Sequence, residues 1–99
     1  MKKYFILKLN PNRPTFAQDM SEEERKIMQQ HVVYWRSLMS KGFVVTFGPV
    51  IDPKGVYGIA IVCVDSPEQV TDFIKHDPAT SINTYEYYPL MAIMPGDIS

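Results

Sequence analysis

The stretch VYGIAIVCV, residues 56–64, runs straight into DSPEQ, residues 65–69, and this junction decides the fold. A run with almost no polar residue and many β-branched side chains reads as a strand. Ser66 then offers a helix cap, Pro67 takes the first helical position and Gln69 the third. The chain therefore passes directly from strand to helix. That helix carries Val70, Phe73 and Ile74 and stops before Pro78.

The first half repeats the pattern. Residues 3–9, KYFILKL, are rich in β-formers and suit a strand. Residues 10–20, NPNRPTFAQDM, hold two prolines and two asparagines and read as a loop. Ser21 and Glu24 have the spacing of a capping box, and Glu22 and Glu23 add negative charge to the first turn. A helix is expected from Glu22 to Lys41, with Ile27, Met28, Trp35, Leu38 and Met39 at helical spacing and Gly42 ending it. Phe43 to Phe47 reads as a second strand, with Phe43, Val45 and Phe47 on one face and Gly48-Pro49 stopping it. VIDPKG, residues 50–55, supplies turn chemistry. TYEYYPLMAIM, residues 84–94, is the fourth strand, with Pro89 at a bulge or an unpaired edge.

The order is β-α-β-β-α-β. It predicts an α+β, ferredoxin-like fold: an antiparallel four-stranded sheet with two helices on one face. With 99 residues and no linker or repeat, a single domain over 1–99 is expected. Such a sheet leaves one face to water and should alternate polar with apolar residues. Here Tyr4 and Ile6 oppose Phe5 and Leu7, and Tyr57, Ile59 and Ile61 oppose Ala60, Val62 and Val64, so both faces are apolar. A homodimer through the open sheet face follows as the expectation.

A net charge of −1 provides no electrostatic footprint for nucleic acid or an anionic membrane surface. KGFVVTF, residues 41–47, superficially resembles an RNA-recognition signature, but it falls on strand two rather than three and lacks the glycine–aromatic step. No run approaches the roughly 20 apolar residues of a membrane span. No cleavage site follows MKKYFILKL, so a signal peptide is not expected. Cys63 is the only cysteine, which excludes an internal disulfide and makes a cytoplasmic protein the default. Cys63, His31 and His76 lack close ligand spacing, and GPVIDPKG, residues 48–55, lacks a phosphate-loop pattern, so neither a metal nor a cofactor is expected.

His31 lies with Ile27, Trp35 and Leu38 at the inner edge of the apolar helix face. By residue type alone it is a packed core histidine. Asp77-Pro78 directly follows the second helix, at a junction that this topology can bring beside the first. A carboxylate there would orient the imidazole and stabilise its charged form, the usual unit of general acid–base work. Read alone, Asp77 is a turn residue before proline. Tyr34 stands one turn from His31, and Gly48-Pro49 either shapes a pocket rim or ends a strand. Ser81 and the tyrosines 85, 87 and 88 can line a cleft or pack in the core or a dimer interface. Arg13 suits a substrate carboxylate or an ordinary loop position. His76 reads as a helix-terminus cation.

His31 with Tyr34 and Leu38, then Gly42 and the strand ending Gly48-Pro49, then Asp77-Pro78, resemble the YciI-like (YCII-related) family in order and spacing over residues 3–93. The resemblance implies a dimeric α+β barrel of ferredoxin-like subunits, with a site centred on His31 and Asp77. It also brings in the activity of some relatives, dehydrochlorinases of chlorinated aromatic catabolites. The chain departs from that family's pattern at Ala79, where an aromatic is common, and at Asn83, where a glycine is. The expectation is a cofactor-independent enzyme, a lyase, isomerase or hydrolase. It would use His31 and Asp77 for acid–base chemistry on a small aromatic or carbonyl-bearing molecule. Tyr34, Gly48, Pro49, Pro78 and Ser81 are the candidate substrate-binding residues. The alternative is a non-catalytic small-molecule-binding or interaction module of the same fold.

Overall fold

The computed structural model describes residues 2–97; Met1, Ile98 and Ser99 lie outside it, so the expected domain 1–99 extends past the described residues at both ends. Strands β1 (Lys3–Asn10), β2 (Val44–Val50), β3 (Tyr57–Val64) and β4 (Thr84–Leu90) form one antiparallel sheet in the order β2-β3-β1-β4. Helix α1 (Phe16–Asp19) is a single turn; α2 (Glu22–Ser40) and α3 (Pro67–His76) are the two main helices. This is the expected ferredoxin-like α+β order, with α1 added inside the first connection.

The capping residues act largely as their spacing foretells. Ser21 Oγ accepts from the Glu24 N–H, and Glu24 accepts from the Ser21 N–H, which closes the box at the start of α2. At the other end Lys41 caps the helix, and Gly42 takes φ +90°, the left-handed geometry that stops a helix with least strain in glycine. The start of α3 differs. The Ser66 side chain makes no cap bond, and Gln69 reaches past it to accept from the Asp65 N–H at 2.6 Å.

One sheet face packs under the helices. Phe5 pairs with Val62 and Leu7 with Ala60, and these join Val44, Val64, Trp35, Leu38 and Val70 in a single core. The other face carries Tyr4, Ile6, Ile59, Ile61, Cys63 and Leu90, half-buried in one chain, with Tyr88 exposed among them. The open face is therefore mostly apolar, as the alternation implied, with the charged Lys8 and Glu86 paired toward one end of it.

Two strands depart from the sequence reading. β2 does not stop at Gly48-Pro49 but runs on to Val50, pairing with Tyr57. A register shift between Val44 and Thr46 also breaks its alternation. Val44 and Phe47 then oppose Val62 and Ala60 on the helix side, while Val45 is exposed, so Phe43, Val45 and Phe47 do not share a face. Pro49 is tolerated because β2 is an edge strand, and Pro89 sits on the other edge, β4. β4 itself ends at Leu90 rather than residue 94. Its last pairing is with Tyr4, one residue from the start of β1, so β1 offers residues 91–94 almost no strand to bond.

Candidate functional site

Pro78 prevents α3 from continuing, so the chain turns sharply at Asp77 into a 3-10 turn, Pro78–Ser81. The turn presses against α2. There the four-residue spacing of His31 and Trp35 sets both side chains on one face. Tyr85 comes from β4, opposite Leu9 on the core side of the sheet. All three side chains converge on the Asp77 carboxylate, which is 2% exposed.

The carboxylate is saturated with donors. His31 Nδ1 lies 2.8 Å from Oδ2 and 3.0 Å from Oδ1. Trp35 Nε1–H donates to Oδ2 at 2.8 Å, the Tyr85 hydroxyl to Oδ2 at 2.5 Å, and the Ala79 N–H to Oδ1 at 2.9 Å. Burial alone pushes the Asp77 carboxyl up. The hydrogen bonds from His31, Tyr85, Trp35 and Ala79 outweigh it and hold the group below the ordinary carboxylate range. Burial, with Asp77 beside it, drives the Tyr85 hydroxyl far above the usual phenol range, so it stays a donor. An ionised carboxylate only accepts. The proton between Asp77 and His31 therefore belongs on Nδ1, and in a neutral ring the lone pair is then on Nε2. This is the tautomer control expected of a carboxylate–imidazole pair.

His31 also forms part of a cavity of about 240 Å³. Its walls are Phe16 and Ala17 of α1 with Met20 just after it, Met28, His31, Val32 and Trp35 of α2, residues 47–49 of β2 and residues 56–60 around the start of β3; Leu9, Pro11, Asn83 and Tyr85 complete it. Among the described residues no Asp, Glu, Lys or Arg lines it. Arg13 holds the α1 wall in place. Its guanidinium grips both oxygens of Glu24 at 2.8 and 2.9 Å, and bonds Asp19 Oδ1 at 2.8 Å and the Asp19 carbonyl at 2.9 Å. Those bonds, with the Ser21 N–H, hold the Glu24 carboxyl well below its ordinary range. Arg13 is thus committed within the protein, and a substrate carboxylate is not its partner here.

The sequence model of the YCII-related domain matches residues 4–94. The chain belongs to the YCII-related family. No curated protein matches this YCII-related chain in sequence. Three solved structures share its fold. An uncharacterised protein of Thermotoga maritima aligns with TM-score 0.60 and 11% identity, over 91% of this chain and 99% of its own. A 5-chloro-2-hydroxyhydroquinone dehydrochlorinase of Burkholderia phenoliruptrix, solved with 2,5-dihydroxybenzoquinone, aligns with TM-score 0.56 and 21% identity, over 83% and 90%. A cofactor-independent oxygenase of Streptomyces nogalater aligns with TM-score 0.50 and 9% identity, over 94% of each chain. At these identities the likeness is one of fold.

Within this YCII-related protein, His31 and Asp77 meet directly, and Gly48 and Pro49 line the cavity. Three other candidates stand elsewhere. Tyr34 packs edge-on against Trp35 and gives its hydroxyl proton to the Phe73 carbonyl at 2.6 Å; burial, then the Asp77 charge, pushes that hydroxyl up to about 12. Pro78 lies in the turn below Asp77, outside the cavity wall. Ser81 is exposed, and its hydroxyl bonds the Pro78 carbonyl. His76 sits on the exposed end of α3, its Nδ1 bonded to the Asp72 carbonyl.

The sequence reading missed Trp35 and Tyr85 as donors to Asp77, and it missed α1 as a wall. The first had a signal, since residues four apart on a helix reach the same group. Phe16 and Met20 carry the same spacing inside the proline-rich loop. Nothing local marks Tyr85.

Asp77 has a folded-state carboxyl depressed below the unfolded value of about 3.9. Its stabilisation is therefore complete above about pH 4 and is lost as pH falls through the lower folded value. Urea denaturation of Asp77→Asn should show a loss of about 3 kcal/mol at pH 7. The gap to wild type should narrow as pH drops toward 2. A gap that stays constant across that range would show that Asp77 is not ionised in the fold.

Proposed function

We propose that this protein is a cofactor-independent acid–base enzyme acting on a small, mostly apolar molecule held in the 240 Å³ cavity. One observation carries the reading: a buried carboxylate with four donors takes the Nδ1–H of His31, and Nε2 remains on a ring that lines an apolar cavity. His31 is the group that moves the proton, through Nε2. Asp77 touches no substrate; it sets the tautomer and supports the imidazolium that forms when Nε2 accepts a proton. Trp35 and Tyr85 keep Asp77 ionised and fixed. Gly48 and Pro49 shape the wall opposite, and the apolar lining excludes water around the substrate body. Eliminations, isomerisations and hydrolyses all use such a base. A dehydrochlorinase among the proteins of like fold agrees with elimination, and the family membership supports a shared site.

The test is proton exchange. Small neutral aromatic and carbonyl compounds, incubated with the protein in deuterated water and followed by NMR, should include one that exchanges, eliminates or rearranges. His31→Gln should slow that turnover roughly a hundredfold to ten-thousandfold while leaving the compound bound. Equal rates in both proteins would exclude His31 as the base. Binding without any turnover in the wild type would return the protein to the binding-module reading.

The same proposal includes a homodimer of single-domain subunits, in which a second copy covers Tyr4, Ile6, Ile61 and Tyr88 on the open sheet face. Sedimentation at micromolar concentration should show a dimer. Replacing Ile6 and Ile61 by lysine should give a folded monomer. A wild type that sediments only as monomer refutes the dimer.

A further inference from the structure

Among the described residues, the one buried side-chain polar atom without a hydrogen-bond partner is Oδ1 of Asn83. Asn83 is 6% exposed and is part of the cavity wall. Its amide nitrogen fares little better: its partner is the sulfur of Met28 at 3.5 Å, a weak acceptor that also lines the cavity. Turning the amide over exchanges oxygen and nitrogen above the same neighbours and leaves the group under-satisfied either way. Buried amides normally find partners, and a buried amide without one is costly. Its backbone is well held, with the Asn83 N–H on the Ala79 carbonyl at 2.9 Å. The 3-10 turn that Asp77 begins thus delivers Asn83 to the cavity, with its amide oxygen unpartnered.

We propose that the Asn83 amide selects the ligand, taking a hydroxyl or N–H of the molecule that occupies the cavity. The proposal rests on the functional reading above, in that it assigns an occupant to the same cavity. It adds a second polar contact beside His31 and narrows the ligand class. The lining contains no full charge apart from a protonated His31, so an anionic or cationic ligand would lose its hydration without compensation. An apolar cavity of about 150 Å³ holds one benzene. The larger volume here takes one ring with a few substituent atoms. The class is therefore a small neutral ring bearing a hydroxyl or N–H, in preference to a bare hydrocarbon of equal size. A site built to meet a hydroxyl rejects the analogue that lacks one, because its own polar group is then left unpaired.

Phenol and toluene are matched probes. Their dissociation constants follow from backbone amide shifts of Ala17, Val32 and Gly58 during NMR titration of the full chain. Phenol should bind about tenfold more tightly than toluene, and it should move the Asn83 side-chain amide resonances further than toluene does, a readout that needs no variant. In Asn83→Leu, and in Asn83→Ala should the larger side chain disturb the fold, the preference should vanish while toluene still binds. In His31→Phe it should persist. Equal binding of both probes by the wild type overturns the proposal and leaves the proton-transfer reading intact. So does a preference that survives at position 83 but disappears in His31→Phe, since the hydroxyl then lies on the imidazole. Failure of both probes to bind at millimolar concentration overturns the cavity as a ligand site, and both readings with it.

Discussion

A carboxylate with almost no contact with water is the constraint on which the site depends. Asp77 is stable as an anion there because four donors from three parts of the chain point at it: His31 and Trp35 from α2, Tyr85 from β4 and the Ala79 N–H from its own turn. Removing the charge strands the donors, and removing a donor weakens the anion. The cluster therefore ties the long helix, the α3–β4 connection and the edge strand into one unit. Trp35 serves both sides of this arrangement. Its ring sits in the core, 1% exposed, while its N–H is the polar handle that core burial requires.

The proposed acid–base chemistry rests on the same constraint. An acceptor-only partner at Nδ1 favours the proton on that nitrogen, and in the proposed mechanism Nε2 is the one that works in the cavity. Two tyrosines that resemble catalytic groups by residue type are instead closed to that use. Tyr85 is a donor to Asp77, and Tyr34 spends its hydroxyl on the Phe73 carbonyl. The polar side-chain groups left to the cavity thereby reduce to the His31 imidazole and the Asn83 amide, since the Tyr57 ring lies under Lys8 on the open sheet face.

Much of this was legible in the sequence. Strong periodic and capping signals placed the strands and both main helices, and the family resemblance paired His31 with Asp77. Local residue order could not show the bulge after Val44, because which residue is looped out depends on the register that β3 imposes. Nor could it show where β4 ends, because that depends on the length of β1. The single-turn α1 was hidden by its prolines and asparagines, and it is held from outside, by Arg13 bridging Asp19 to Glu24. Tyr85 lay eight residues from Asp77 with no spacing rule to join them. Only the sheet register, which sets Tyr85 opposite Leu9, turns it toward the carboxylate. Tyr34, Pro78 and Ser81 stand close in sequence to His31 and Asp77, but neighbours along a helix or turn point in different directions.

The central claim is that Asp77 holds the proton of neutral His31 on Nδ1 and leaves Nε2 bare. The direct measurement is a long-range proton–nitrogen NMR correlation of the His31 ring, recorded at a pH where the imidazole is neutral. The account predicts a protonated Nδ1 and an unprotonated Nε2. A ring that carries its proton on Nε2 would contradict the tautomer, and with it the assignment of His31 as a base facing the cavity.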